Sequence, residues 1–339
     1  MPSRRAFIGT ASAALLAACG EQAPRNGAAV SLLNVSYDPT RELYAAINPA
    51  FSRFWNGQHG PVNITMSHGG SGAQTQSVLD GRQAAQVVTL AVPYDVDRIA
   101  AAGLTDPNWR ARLPNNSAPY TSIIVFVVRR GNPKRISDWP DLIRDDVSIV
   151  VPDPKTSGIA RWAYLAAWAQ ARRAPSGDAN ARTYVQRLYA NAPVLDAAAR
   201  ASKERFESGE GDVLIAWENE AHVLLDTERY QIVTPSLSIR AEPSVAVIDA
   251  NTRDAAVRET ANAYLEFLYT LEAQEIIAQH YYRPFDTNVL QRNASKFPNV
   301  PLVTVEGVFE SWQDVQEIHF REGGVFDQIR PPSPTPATP

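Results

Sequence analysis

The sequence predicts an α/β protein of two lobes, and three observations carry that prediction. Apolar runs of strand length alternate with amphipathic runs of helix length along most of the chain. Several of the strand-length runs are continuously apolar, as strands covered on both faces require. Two connecting stretches, residues 117–122 and 234–243, would cross between an outer part built from both ends of the chain and a central inserted part. The length of 339 residues fits about two domains at ~150 residues each. A hydrophobic content of 45% is ordinary for a globular chain that buries a large core.

The first residues read as an address rather than as fold. Ser3-Arg4-Arg5-Ala6-Phe7-Ile8 is a twin-arginine pattern of the kind used for export. The apolar stretch 7–18 is the length of a signal h-region and too short to span a bilayer. It ends in Leu16-Ala17-Ala18-Cys19, followed by Gly20, which resembles a lipobox. Cys19 is the only cysteine, so the rest of the chain carries no disulfide and no thiol chemistry. A plain signal peptide with a chance cysteine is the alternative. The expected division is a signal peptide with lipobox at 1–19 and a small, polar tether at 20–29. An outer lobe at 30–119 plus 244–330, an inner lobe at 120–243 and a disordered proline-rich tail at 331–339 complete it. No internal repeat is visible.

Strands are expected at 31–35, 62–66, 87–92, 123–128, 148–151, 193–195, 213–217, 231–234 and 244–248. Helices are expected at 41–55, 73–79, 161–171, 181–190 and 255–269. Nine strands fit two sheets of about five better than one long sheet.

Four strand-to-helix junctions stand out. In the first, Asp38 can cap and Pro39 can occupy the first helical position, where its missing N–H costs nothing. The second, Ser67-His68-Gly69-Gly70-Ser71-Gly72, joins a strand to a helix, with Ser71 and Gln74 spaced as a capping box. In the third, Thr156 or Ser157 can cap a helix whose first turn, from Gly158, has no acidic residue. The fourth is Asp196-Ala197-Ala198-Ala199-Arg200. A Ser or Asp before a helix is usually only a cap. Four such junctions at the carboxyl ends of strands, however, line the crevice where open sheets bind ligands, with free N–H groups suited to a compact oxyanion.

Other chemistries find less support. Thirty-two basic and 36 acidic residues leave no basic footprint for nucleic acid. No apolar run is long enough for a membrane span. His68-Gly69-Gly70 resembles the oxyanion motif of esterases, but no Gly-x-Ser-x-Gly elbow accompanies it, so a serine hydrolase is a minor alternative. The five histidines are scattered, which disfavours a metal site. Neither a P-loop nor a Gly-x-Gly-x-x-Gly turn is present. Trp217, at the end of a strand, is either core or an indole donor facing the ligand. Glu218 and Glu220 beyond it read as solvated or arginine-paired.

The long ordered motifs 32–44, 67–72, 116–122, 212–220 and Tyr282-Arg283-Pro284 make the chain resemble the sulfate-binding proteins of bacterial sulfate/thiosulfate ABC import systems. That resemblance implies a type II periplasmic-binding-protein fold: two lobes, each a mainly parallel sheet flanked by helices, joined by two hinge crossings. It implies capture of sulfate in the cleft and delivery to the permease subunits of an ABC transporter. The protein would be a periplasmic monomer, lipid-anchored through Cys19, with no enzymatic activity, no cofactor and no metal. Thiosulfate, or molybdate and tungstate, are alternative ligands. The implied contacts are the backbone N–H groups of Asp38, Ser71, Gly158, Ile159 and Ala199, the hydroxyl of Ser157 and the indole of Trp217. Arg161 and Arg200 would support the loops. The chain departs from the family pattern at Ile159 and at Ala198-Ala199-Arg200-Ala201.

Overall fold

A computed structural model describes residues 29–225 and 228–330. The signal, the lipobox with Cys19, nearly all of the tether and the proline-rich tail lie outside the described residues.

The chain opens with β1 (Val30–Tyr37), a 3-10 turn at Asp38–Thr40, α1 (Arg41–His59), β2 (Val62–Gly69), α2 (Ser71–Leu79), β3 (Val87–Leu90) and α3 (Pro93–Ala101). A single turn, α4 (Pro114–Ser117), holds Asn115, Asn116 and Ser117 at positive φ, a conformation that asparagine tolerates better than most residues. It leads into β4 (Tyr120–Thr121) and β5 (Ile124–Arg129). Then follow β6 (Ile149–Pro152), α5 (Gly158–Arg172), α6 (Gly177–Ala190), β7 (Leu195–Asp196), α7 (Ala199–Glu207), β8 (Val213–Trp217), α8 (Glu218–Leu225), β9 (Tyr230–Val233), β10 (Ser238–Ile239) and β11 (Ser244–Val247). The last third contains α9 (Ala255–Phe267), α10 (Leu271–Gln279), β12 (Arg283–Pro284), α11 (Thr287–Arg292), β13 (Leu302–Val303), α12 (Val305–Phe309), α13 (Trp312–Val315) and α14 (Val325–Ile329).

All nine expected strands form, with ends shifted by a few residues. They build a four-stranded sheet in the order β11-β3-β1-β2 and a five-stranded sheet in the order β7-β6-β8-β5-β9. Four of their seven pairings are parallel. The antiparallel ones are β11 with β3, and β5 with both β8 and β9; β5, β9 and β11 set them. These strands flank the two crossings, and a chain that changes sheets enters the second from the opposite end. The small ladders β4–β12 and β10–β13 were not anticipated; two-residue strands leave no periodicity to read. The crossings meet in an antiparallel bridge, with Ser122 N–H donating to Ala241 O at 3.0 Å and Ala241 N–H returning to Ser122 O at 2.9 Å.

One assignment needs correcting. Residues 305–330, expected with the outer lobe, pack chiefly on α5 and α6 of the five-stranded body. The Trp312 ring meets Trp162 edge-on at 4.8 Å, and Tyr164 Oη lies 2.9 Å from His319 Nδ1. Lys155 Nζ donates to Asp327 at 2.8 Å. The aromatic residues of this segment are buried there, and burial of large apolar surface decides where a terminal segment docks.

Candidate functional site

The register of β1, β2 and β3 brings their carboxyl ends level: Tyr37 pairs with Gly69, and Ser36 with Thr89. The turn at Asp38 and the start of α2 therefore rise from one edge of the four-stranded sheet. On the other sheet Pro152 pairs with Asp196, and β8 lies beside β6. The starts of α5 and α7 and the end of β8 share that edge. The two edges face and touch. Gly72 N–H donates to Thr156 O at 3.2 Å, and Trp162 Nε1 donates to Ala91 O at 2.7 Å.

Two glycines permit this approach. A Cβ on Gly70 would stand 2.8 Å from Thr156 O and 3.1 Å from Ala197 O. A Cβ on Gly158 would stand 2.5 Å from the Cβ of Ala91 and 3.1 Å from that of Ser71. Gly70 has φ −59°, so space, not an unusual backbone angle, demands glycine there.

The four junctions converge as expected, but their caps differ. Gly70, not Ser71, is the N-cap of α2, and Ser71 is the first helical residue. The Ser71 hydroxyl donates to Asp95 Oδ2 at 2.6 Å and accepts from Ala91 N–H at 3.0 Å. Gln74 donates to Ser36 O at 3.1 Å instead of closing a capping box. Ser157 is the N-cap of α5 but makes no side-chain cap bond. Tyr37 is the cap at the first junction, and the Asp38 carboxylate takes Arg41 at 2.9 Å. Ala198 caps α7 and has no side-chain acceptor to offer. The Ser71 hydroxyl thus serves the tertiary structure, and no side chain caps the first-turn N–H groups of α2, α5 and α7. Helices away from the site have side-chain caps at Asp254, Thr270 and Asp286. α3 and α6 have no side-chain cap either.

Ser71, Ser157, Gly158, Ile159 and Ala199 are buried, as is Trp217 at 0% exposure. The Trp217 ring meets Tyr37 edge-on at 5.4 Å, which places it beside the Asp38 turn. Its Nε1 is buried without a hydrogen-bond partner. Tyr37 Oη, Tyr120 Oη and His68 Nδ1 are also unpartnered nearby. A hydroxyl or an imidazole nitrogen can act either way, but an indole N–H can only donate. An unpaired buried donor costs about 1–3 kcal/mol unless something accepts from it.

The first turns of α2, α5 and α7 contain no acidic residue, so their partial positive charge is not cancelled. The two expected supporting arginines differ in their contacts. Arg161 is buried and spans the two bodies, with Nη1 3.3 Å from Asp95 Oδ1 and Nε donating to Pro154 O at 3.0 Å. Arg200 is exposed, 3.8 Å from Glu42 and 3.6 Å from Glu204. A cavity of about 40 Å³ beside the site is lined by Asp38, Glu42, Arg200, Lys203 and Glu220. Burial pushes the Glu220 carboxyl up to about 8, with Lys203 opposing and Asp38 and Glu42 adding. Burial, and then the nearby Arg41, lowers the His68 pKa, which favours the neutral ring. Glu218 is not solvated: it holds Arg283 through two bonds of 2.6 and 2.8 Å. A larger cavity of about 460 Å³, between α5, α6 and the C-terminal segment, includes none of the expected site residues. No cluster of metal-ligating side chains is present among the described residues.

Sequence reasoning missed Asp95. Its signal was weak: an acid in the first turn of a helix reads as an ordinary dipole partner. Only the fold shows it joining Ser71 to Arg161.

The turn at Asp38, the starts of α2, α5 and α7 and the end of β8 thus meet where the two α/β bodies touch. Comparison with known proteins shows what the chain as a whole is similar to. Residues 36–283 match the family model described as bacterial extracellular solute-binding protein. The chain is 53% identical over 306 residues to the sulfate-binding protein of Escherichia coli (strain K12), covering 88% of this chain and 93% of the relative. It is 44% identical over 328 residues to the thiosulfate-binding protein of Pseudomonas aeruginosa, covering 95% and 98%. Among solved structures, the sulfate-binding protein SubI from Mycobacterium tuberculosis H37Rv superposes with a TM-score of 0.77 at 32% identity, covering 85% and 98% of the two chains.

Proposed function

The chain belongs to the bacterial extracellular solute-binding proteins, and from that premise we propose that it captures sulfate between its two lobes for an ABC importer. The outer lobe comprises residues 30–119 and 244–304. The inner lobe comprises residues 120–243, with 305–330 laid upon it. The orphaned indole N–H of Trp217 at the meeting of four uncapped junctions carries this reading.

The anion accepts from the backbone N–H groups of Asp38 and Ser71 on one side. On the other side it accepts from Gly158, Ile159 and Ala199, the Ser157 hydroxyl and the Trp217 indole. Ile159, Ala198 and Ala201 differ from the family pattern only in side chains, and the backbone donors at Ile159 and Ala199 remain. No cation touches the ligand. Helix N-termini neutralise it, and Arg161 acts one layer behind through Asp95 and Ser71.

Selectivity follows from the donors. Sulfate at neutral pH is a dianion with only acceptors to offer, and the site answers with donors. Phosphate keeps at least one proton, which would face donors and stay unpaired. That costs about 1–3 kcal/mol, or roughly five- to 150-fold in affinity. No step makes or breaks a covalent bond, so the protein is a binding protein and not an enzyme.

Thiosulfate is the second reading, favoured by the 44% identity to a thiosulfate-binding relative. Titration calorimetry with sulfate, thiosulfate and molybdate tests the assignment. Sulfate should bind most tightly at one site per chain, and a preference for either of the others would replace the reading.

The chain acts as a monomer outside the cytoplasm, is exported through its twin-arginine segment, is tethered by lipid on Cys19 and docks on permease subunits. A Cys19→Ser chain should leave the membrane fraction, and its full retention there would refute the tether.

A further inference from the structure

We infer that Tyr282 and Arg283 form one positioning device that sets a donor from each lobe against the other. The inference rests on the sulfate reading for its ligand, but not for its geometry. Tyr282 is 1% exposed, and its hydroxyl donates to Pro39 O at 2.9 Å. Pro39 directly follows Asp38, so this bond fixes the turn that presents the Asp38 N–H. The next residue, Arg283, grips Glu218 through Nε to Oε2 at 2.6 Å and Nη2 to Oε1 at 2.8 Å. Glu218 is 1% exposed and directly follows Trp217. A two-point guanidinium–carboxylate fork constrains orientation as well as distance. Two consecutive residues, Tyr282 just before β12 and Arg283 within it, thus hold the outer-lobe donor and the inner-lobe donor.

That strand is tied to the hinge. Arg283 pairs with Thr121 and Pro284 with Tyr120 in the first crossing, and the rings of Tyr120 and Tyr282 lie 4.6 Å apart. One residue on, Ser122 bridges to Ala241 of the second crossing. The chain also accepts strain to aim the pair. Tyr281 sits at φ +61°, a conformation unfavourable for a bulky side chain. It reverses the chain after α10, where Tyr282 N–H returns to Ile277 O at 3.1 Å. Local strain of this kind persists where surrounding contacts over-determine it.

Two measurements test the device. In unligated, ¹⁵N-labelled protein, Tyr282→Phe should move the Trp217 indole cross-peak as well as that of Asp38. Arg283→Lys, which keeps the charge and loses the fork, should move the Asp38 amide as well as the Trp217 indole. Shifts confined to the nearer donor in each variant would overturn the proposal. In sulfate titrations each variant should bind about 2- to 12-fold more weakly, the equivalent of one net hydrogen bond. The double variant should lose clearly less than the product of the two factors, because residues acting as a unit are not additive. Factors that simply multiply, or an unchanged affinity in both single variants, would also overturn it. The unaltered chain is the control that separates the two claims. If it fails to bind sulfate, the functional reading falls, and the cross-peaks of the unligated protein still decide the positioning device.

Discussion

Trp217 concentrates the chemistry of the site into one atom. Its ring is core and its Nε1 is a buried donor without a partner, which supports the proposed contact with the anion. Trp217→Phe keeps the apolar bulk and removes the donor. Sulfate affinity should fall by about 1.5–3 kcal/mol, the worth of a hydrogen bond to a charged group, with little change in the unligated melting temperature. An unchanged affinity on calorimetry would leave Trp217 as packing alone. Ser157→Ala should behave in the same way, because no cap bond is lost with its hydroxyl. Ser71 differs. Its hydroxyl is locked between Asp95 and Ala91, so Ser71→Ala should lower stability as well as affinity, readable in a thermal melt. Which serine would do which was not legible in the sequence. Both precede or begin helices, and only tertiary neighbours decide whether a hydroxyl caps, braces or points at a ligand.

At the scale of elements, every expected strand and helix formed, because runs of four or more apolar residues and 3.6-residue periodicity leave a strong signal. The junctions were also visible as small and hydroxyl residues at strand ends. Their caps were misread for a physical reason: tertiary partners take the Ser71 and Gln74 side chains that could have capped. Gly70 and Gly158 make room for the opposite lobe. Gly158→Ala should therefore press on Ala91 only when the lobes meet. Overpacking of that kind costs about 1–3 kcal/mol, and it should appear as weakened sulfate binding. Unligated stability should stay nearly constant, since an open cleft relieves the clash. Equal affinity for wild type and Gly158→Ala would show that the lobes do not close to this distance on the ligand.

Across the whole molecule, the two-lobed plan was legible from two crossings and two sets of strands. The docking of residues 305–330 on the inner body was not, because a terminal amphipathic segment carries no mark of the surface that will cover it. Charge adds a pH dependence that the donors alone lack. The pKa of Glu220 is raised to about 8. Its contribution to stability is full below the ordinary glutamate range and is lost as pH rises through about 8. Ionised, it also places a negative charge beside the Asp38 turn. Sulfate affinity should therefore decline as pH passes about 8, and Glu220→Gln should flatten both that decline and the fall in stability. His319 acts on the other side. Burial lowers its pKa to about 4 from the ordinary histidine value of 6.5, so its contribution is present above 6.5 and is lost as pH falls through about 4. Melting temperatures of His319→Gln across that acid range should fall less steeply than those of the unaltered chain.

The central claim is that a site of donors, with no counter-ion in contact, accepts an anion because that anion carries no proton. Parallel calorimetric titrations of sulfate and phosphate near pH 7 test it most directly. Sulfate should bind at one site per chain, and phosphate should bind at least about fivefold more weakly or not measurably, as an unpaired buried proton requires. Equal affinity for the two anions would contradict it.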